Sequence, residues 1–452
     1  MNLKALIYRA RIREVPVYCC FLCVLYLFYK QFFYPRLQHA DCVPKHLHQY
    51  VEYNEKFILV PRELQSAEIS ELASTIAALN YERTVFQTHK YGTVTSKTTI
   101  LVVQVHRDLE RLQYLIVSLA QVREIESVLL VFSHSYYDDR INKLVSKITF
   151  CRFMQIFYPY SLQLYPNKFP GIDPDDCASA TGRRKTFCSS RDGRLTEHKH
   201  HWWWKASFIF NNLDWSATFK GTVIFLQEDD YVLPDLLHML RYMRRSHAYL
   251  PGLHLLSFGR PHAKGLDFDL LSVSSWHPPF DKGLAFNKSL WQKIAAASVY
   301  YCLYDDLSWG YSLLNVFRKF KERPVDMVAT LMPRVLSTSV FPSGRAAMQQ
   351  IALWLVGTSM FPVNVKAVIL YSSNGRVNAE VKHPPRGNGG WSDLRDHLLC
   401  LDPLMSTTIG NANDITATTF SLTTNIVAHY ITVGQHKMNK SDADLHNVVN
   451  YK

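Results

Sequence analysis

Apolar residues along this chain gather into short unbroken runs separated by stretches of helical spacing. Residues 98–105 (Thr-Thr-Ile-Leu-Val-Val-Gln-Val) form one such run, the pattern of a strand buried on both faces of a parallel sheet. Leu109, Leu112, Leu115, Ile116 and Leu119 then recur at helical spacing, and residues 128–132 make a second strand. Strand, helix, strand is a βαβ unit, which offers the loops after its strands to a ligand. A third buried run, residues 223–226, leads straight into Glu228, Asp229 and Asp230. Pro234 then opens a helical pattern in Leu236, Leu237, Met239, Leu240 and Met243. Residues 255–257, 283–286 and 332–337 read as further strand segments, and 311–317 as a helix. The pattern predicts an α/β fold, a Rossmann-like mixed sheet flanked by helices.

The N-terminus changes the picture from a free domain to an anchored one. Lys4, Arg9, Arg11 and Arg13 precede an apolar run over residues 15–34, about the 20 residues that a spanning helix needs. Basic residues stay cytosolic, so residues 1–14 read as a cytoplasmic tail and 15–34 as a transmembrane signal-anchor. A cleaved signal peptide is the alternative, but Tyr34-Pro35-Arg36 supplies no small-residue cleavage site. Residues 35–97, weakly helical from Glu63 to Leu79, suit a lumenal stem. Residues 98–400 carry the folded domain, and 401–452, rich in Thr, Asn and Ser, read as a polar extension.

Composition bounds the function. The chain is 48% hydrophobic and 13% aromatic, too rich for disorder. Its net charge of +12 is scattered, with no basic helix face and no zinc spacing. No nucleic-acid partner is expected; an anionic membrane surface or a phosphorylated donor fits as well. The absence of a Gly-x-Gly-x-x-Gly run speaks against a dinucleotide oxidoreductase. Cys19, Cys20 and Cys23 lie in the apolar run. Cys42, Cys151, Cys177, Cys188, Cys302 and Cys400 remain, an even count that suits disulfides in an oxidising lumen.

The acidic triplet is the first candidate for chemistry. Three carboxylates after a buried strand repel one another and lose hydration, so a positive charge should compensate them. A divalent cation bridging to a diphosphate would do so; a solvated turn capping the next helix is the other reading. In Lys199-His-His-Trp-Trp-Trp-Lys205, three tryptophans cannot all face one side of a core, so one is expected to pack while another lines a cavity as a platform for a sugar or base; a bulky helix start packed on the sheet is the other reading. The paired histidines point apart, which disfavours a metal site between them. Asp305 and Asp306 are candidates for a general base, or else cap a helix. The Gly-rich stretch from Pro384 to His397 reads as a loop or hairpin.

These stretches carry a resemblance. His200-His-Trp-Trp-Trp-Lys205, Phe225-Leu-Gln-Glu-Asp-Asp-Tyr231, Tyr304-Asp-Asp306 and Asn388-Gly-Gly-Trp-Ser-Asp-Leu-Arg-Asp-His397 resemble the N-acetylglucosaminyltransferase II family. Gln163-Leu-Tyr-Pro-Asn-Lys-Phe-Pro-Gly171 and Val103-Gln-Val-His106 also match, in order along residues 98–400. The resemblance implies a GT-A-type glycosyltransferase fold and a type II Golgi membrane protein. It also implies UDP-N-acetylglucosamine as donor, an N-glycan on a glycoprotein as acceptor, and Mn²⁺ as cofactor. Asp229 falls at its metal-binding carboxylate. Gln104, Val105, His106, Arg107 and Asp108 fall in a first donor-contacting loop. Glu197, His198, Lys199, His200 and His201 fall in a second. Cys177 with Cys188, and Cys302 with Cys400, fall at its disulfide positions.

The departures are chemical. Ser337 stands at the position of a second metal ligand, a His in the family. Ser135 stands where the nucleotide site has an Asp. Gly310, directly after Trp309, stands where the family has its catalytic Asp. Glycine takes no proton and serine is a poor Mn²⁺ ligand. Either Asp305, Asp306 or Asp230 has taken over a role, or the chain is a sugar- or nucleotide-binding pseudoenzyme. A Golgi transferase of altered specificity is the third reading.

Overall fold

The computed structural model describes residues 43–51, 62–176, 191–247, 254–259, 267–278, 281–320, 325–356, 358–369 and 387–402. The predicted tail and anchor, Cys177, Cys188 and the extension beyond residue 402 lie outside them. Among the described residues no helix is long and apolar enough to cross a membrane.

A mixed nine-stranded sheet organises the chain. Strands β1 (Ile100–Val105), β2 (Leu129–His134), β3 (Arg152–Phe157) and β4 (Thr222–Gln227) run parallel in the order β3-β2-β1-β4. Beyond β4 come β8 (Leu284–Asn287), β6 (His254–Ser257), β9 (Asp326–Thr330), β7 (Leu270–Ser275) and β11 (Lys366–Ile369). Strand β8 is antiparallel to both β4 and β6, so the sheet reverses direction beside the acidic triplet. A two-stranded ribbon pairs β5 (Asp230–Val232) with β10 (Val335–Ser337), bringing Ser337 opposite Asp230.

Both faces of β1 are buried, as its unbroken apolar run requires. Leu101, Val103 and Val105 point into one core with helices α2 (Leu109–Ala120), α3 (Asp139–Ser146), α5 (Leu236–His247) and α8 (Gly344–Leu355). Ile100 and Val102 point into the other, with α4 (Gly193–Ser207), α6 (Lys288–Ala296) and α7 (Trp309–Arg318). Strand β4 alternates likewise, Ile224 and Leu226 against Val223 and Phe225. Truncating one such buried side chain to alanine costs ~2–5 kcal/mol.

Two expectations change. Helix α1 (Ser66–Glu82) is no free-standing stem. Its buried Asn80 donates to the Phe157 carbonyl at 2.6 Å and accepts from the Phe157 amide at 2.8 Å, and Leu47 and Tyr50 already lie in the core. The folded unit therefore reaches well before residue 98. The three tryptophans are also all buried, at 1%, 5% and 0% exposure. Consecutive helical residues project about 100° apart, so α4 must be covered around most of its girth. Trp202 stacks on Trp309 at 4.6 Å, Trp203 on Tyr301 at 4.5 Å, and Trp204 packs on Phe208. None is a cavity platform.

Candidate functional site

The acidic triplet sits where β4 leaves the sheet, and the structure sends its three carboxylates to three tasks. Glu228 turns back to the loop after β1, accepting from the His106 amide at 2.7 Å and the Asp108 amide at 3.3 Å. It is only 8% exposed, and burial raises its pKa to about 7. Asp230 closes the turn by accepting from the Gln227 amide at 2.8 Å; burial lifts its pKa to about 6. Asp229 alone reaches solvent, with a side chain 21% exposed. Its carbonyl accepts from the Thr338 amide and hydroxyl, both at 2.7 Å, and its Oδ2 from the Ser337 hydroxyl at 3.1 Å. Arg111, on α2, holds that segment in turn through the Thr338 and Phe341 carbonyls.

The positive charge that this cluster demands comes from the chain itself. Lys282, in the turn before β8, places Nζ 3.0 Å from Asp229 Oδ1 and 2.9 Å from Gln227 Oε1. It lies 2.9 Å from Asp230 Oδ1 as an ion pair. Burial works against its charge, but the two aspartates outweigh burial and raise its pKa. Sequence reading missed this residue, although Lys282-Gly283 at a strand start was visible in the chain.

These residues do not fit a resident Mn²⁺. A manganese site needs several oxygen or imidazole ligands, whereas here Asp229 faces a serine hydroxyl and an ammonium that also touches Asp230. Among the described residues no group of three or more His, Cys, Asp or Glu is arranged to hold a metal.

Beside the acids, the predicted donor loops converge only in part. His106 Nδ1 lies 2.8 Å from the Ser135 hydroxyl and its Nε2 3.1 Å from Gln104 Nε2. The His198 ring meets the His106 ring at 4.6 Å, and His201 bonds Ser133 at 2.8 Å. Burial first, then neighbouring cations and imidazoles, push the His106 and His201 pKa values far down, so both rings are neutral. Lys205 lies beneath, donating to Gln104 Oε1. Asp108 caps α2 through the Arg111 amide, Val105 is buried in the core, and Arg107 is exposed beside them. Glu197 accepts from the Leu162 amide at 2.9 Å, and desolvation raises its pKa to about 7.

Lys199 and His200 point elsewhere, which corrects their assignment to the donor. Lys199 is wholly buried, donating to the Tyr304 and Asp306 carbonyls at 3.0 and 2.9 Å, 4.0 Å from the Trp391 ring centroid. His200 bonds Asp396 at 2.9 Å, and Asp396 also pairs with buried Arg191. The histidine pair does diverge, each ring reaching a different partner.

Asp306 is corrected too. Its Oδ1 accepts from the Ser308 amide at 2.8 Å and its Oδ2 from the Asn388 amide and side chain at 3.1 and 2.7 Å. Both oxygens of this buried carboxylate organise the Gly-rich loop, which speaks against a general-base role. Asp305 holds the Trp391 amide at 2.8 Å through Oδ1. Gly387, at φ +82°, runs so close that a Cβ would fall 2.0 Å from the Asp305 carbonyl. A disulfide joins Cys302 to Cys400 at a Cα separation of 5.6 Å, fastening α9 (Leu394–Leu401) below this loop. Cys151 is a buried free thiol.

Fold and site together define an α/β protein with a cluster of polar and charged side chains at the carboxyl edge of parallel strands, where such sheets take ligands. A model of the N-acetylglucosaminyltransferase II family matches residues 73–400, and the chain belongs to that family. The human alpha-1,6-mannosyl-glycoprotein 2-beta-N-acetylglucosaminyltransferase is 30% identical over 354 residues, covering 72% of this chain and 78% of the human one. The mouse protein of that name is 30% identical, covering 72% and 79%. That of Arabidopsis thaliana is 27% identical over 329 residues, covering 67% and 74%.

Proposed function

We propose that this chain transfers N-acetylglucosamine from UDP-N-acetylglucosamine to O2 of the α1,6-linked mannose of N-glycans. The transfer is an inverting one that makes a β-1,2 linkage on a GT-A-type sheet. The protein is held in the Golgi membrane by residues 15–34 with its domain in the lumen. Family membership over residues 73–400 carries this reading. The partly exposed Asp229, beside the loop 104–108 that Glu228 holds, supports it.

As the mannose O2 attacks C1 of the donor sugar, the bond from C1 to the phosphate oxygen breaks and UDP leaves with the electron pair. The proton of O2 must pass to an acceptor. Gly310 after Trp309 offers no carboxylate at that position, and Asp306 directs both its oxygens to the Ser308 amide and Asn388. A positioned base is worth typically ~10²–10⁴-fold, so transfer with the proton leaving to water is slow and donor binding survives. Gly310 equally favours a second reading, a donor-binding protein without turnover.

The test is prolonged incubation of the purified full chain with radiolabelled nucleotide sugars and an N-glycan bearing a terminal α1,6-mannose. Slow transfer from UDP-N-acetylglucosamine to that mannose is expected. Donor binding with no product would leave the second reading standing, and transfer from another nucleotide sugar would reassign the donor.

A further inference from the structure

A divalent ion and a lysine ammonium can hold two carboxylates together, but they cannot share one position. Lys282 Nζ donates to Asp229 Oδ1 at 3.0 Å and to Gln227 Oε1 at 2.9 Å, and lies 2.9 Å from Asp230 Oδ1 as an ion pair. The backbone makes this placement specific. A Cβ on Gly259 would come within 2.4 Å of the Lys282 Cβ, and Gly283 follows at φ +60° with its own Cβ position 2.8 Å from Val335. Only glycines at these two points let the turn lie flat against the strands and aim the lysine at the aspartates. Ser337, opposite Asp230 across the ribbon, donates to Asp229 Oδ2 at 3.1 Å. Both Asp229 oxygens thus face protons.

We propose that Lys282 is a built-in cation that replaces the divalent metal at Asp229, so that this chain binds its nucleoside diphosphate donor without metal. The inference rests on the donor reading above. Lys282 and Asp229 are 22% and 21% exposed, so an incoming diphosphate reaches the ammonium. Of its three partners Gln227 is the neutral one. Exchanging that amide oxygen for a phosphate oxygen keeps both ion pairs and gains a charge-assisted hydrogen bond. The lysine carries one positive charge where a metal carries two, so the diphosphate is held more weakly than at a metal site. What the chain gains is a cation that chelators cannot remove.

The experiment is calorimetric titration of UDP into the solubilised full chain, in EDTA and in millimolar Mn²⁺. Loss of the free Mn²⁺ paramagnetic resonance signal reports metal binding separately. Wild type should bind UDP in EDTA with a Kd within twofold of that in Mn²⁺, and should leave the Mn²⁺ signal intact. Lys282→Met should weaken UDP binding in EDTA at least tenfold. Lys282→Met with Ser337→His should take up Mn²⁺ and bind UDP only in its presence. Wild-type binding that requires Mn²⁺ would overturn the lysine's role and leave the donor reading in place. Unchanged binding by Lys282→Met in EDTA would do the same. If neither UDP nor UDP-N-acetylglucosamine binds wild type under any condition, the donor reading and this inference fall together. The wild-type comparison needs no variant, so a poorly folding Lys282→Met cannot shelter the proposal.

Discussion

Replacing Gly310 by aspartate should raise transfer while leaving the fold intact. Gly310 is the second residue of α7, and a Cβ there would meet Pro278 Cβ at 3.4 Å, Ser308 Oγ at 3.6 Å and Pro278 Cγ at 3.7 Å. All three are ordinary contacts, so a Cβ meets no steric penalty. Replacing glycine in a helix regains a few tenths of a kcal/mol. The first turn of α7 has no acidic residue, and a carboxylate near a helix N-terminus contributes about 0.3–1 kcal/mol. Gly310 is buried, so desolvation of the carboxylate works against these gains and the variant should melt a few degrees below wild type, ~1–3 kcal/mol less stable. Acting as a base, the introduced carboxylate should speed the chemical step, raising kcat by ~10²–10⁴-fold with little change in donor KM. The assay is initial-rate transfer to an α1,6-mannose acceptor by wild type, Gly310→Asp and Gly310→Asn. The asparagine variant matches the shape but takes no proton. An aspartate variant that melts within a few degrees of wild type and reacts no faster would refute the argument, as would an asparagine variant that reacts equally fast.

Removing the Cys302–Cys400 bond, which spans 98 residues, should cost about 4–5 kcal/mol in the chain-entropy account. A Cys302→Ser, Cys400→Ser protein should then melt about 10 °C or more lower. Asp235 holds the fully buried Arg334 through both oxygens, at 3.0–3.1 Å. Asp235→Ala should destabilise by ~3–5 kcal/mol because a buried guanidinium loses its counter-charge, measured as a fall in the urea midpoint. Glu197 gives a pH dependence: desolvation raises its folded pKa to about 7 from 4.5. The stability it confers is complete below pH ~4.5 and lost as pH rises through ~7. Thermal melts at pH 5 and 8 should show wild type losing stability with pH and Glu197→Gln losing less.

The strands that bury both faces could be read directly, because an unbroken apolar run has no other economical place in an α/β protein. Residues 98–105, 128–132 and 223–226 lie within two residues of β1, β2 and β4. The acidic triplet also announced its place and its need for a cation. What the chain alone could not show was which cation: Lys282 is 53 residues from Asp229 and arrives only because β8 runs antiparallel to β4. Three tryptophans in a row left a cavity platform and a packed helix start both open, since composition does not reveal that a helix will be wrapped on most sides. The role of Asp306 was hidden similarly. A carboxylate near a tryptophan looks catalytic until Asn388, 82 residues on, is found to occupy it.

The cover over β3 has a consequence for how this protein behaves in solution. Strand β3 is the last strand on its side of the sheet, and an unpaired edge offers hydrogen bonds to any other extended chain. The Phe86 amide meets the Phe153 carbonyl at 2.8 Å, their rings stack at 4.9 Å, and Asn80 satisfies both polar groups of Phe157. The segment that precedes the sheet in the chain is therefore a guard against self-association. A protein begun at residue 98 would keep its Asp229 site and bare a sticky margin, and its failure in solution would say nothing about whether that site works.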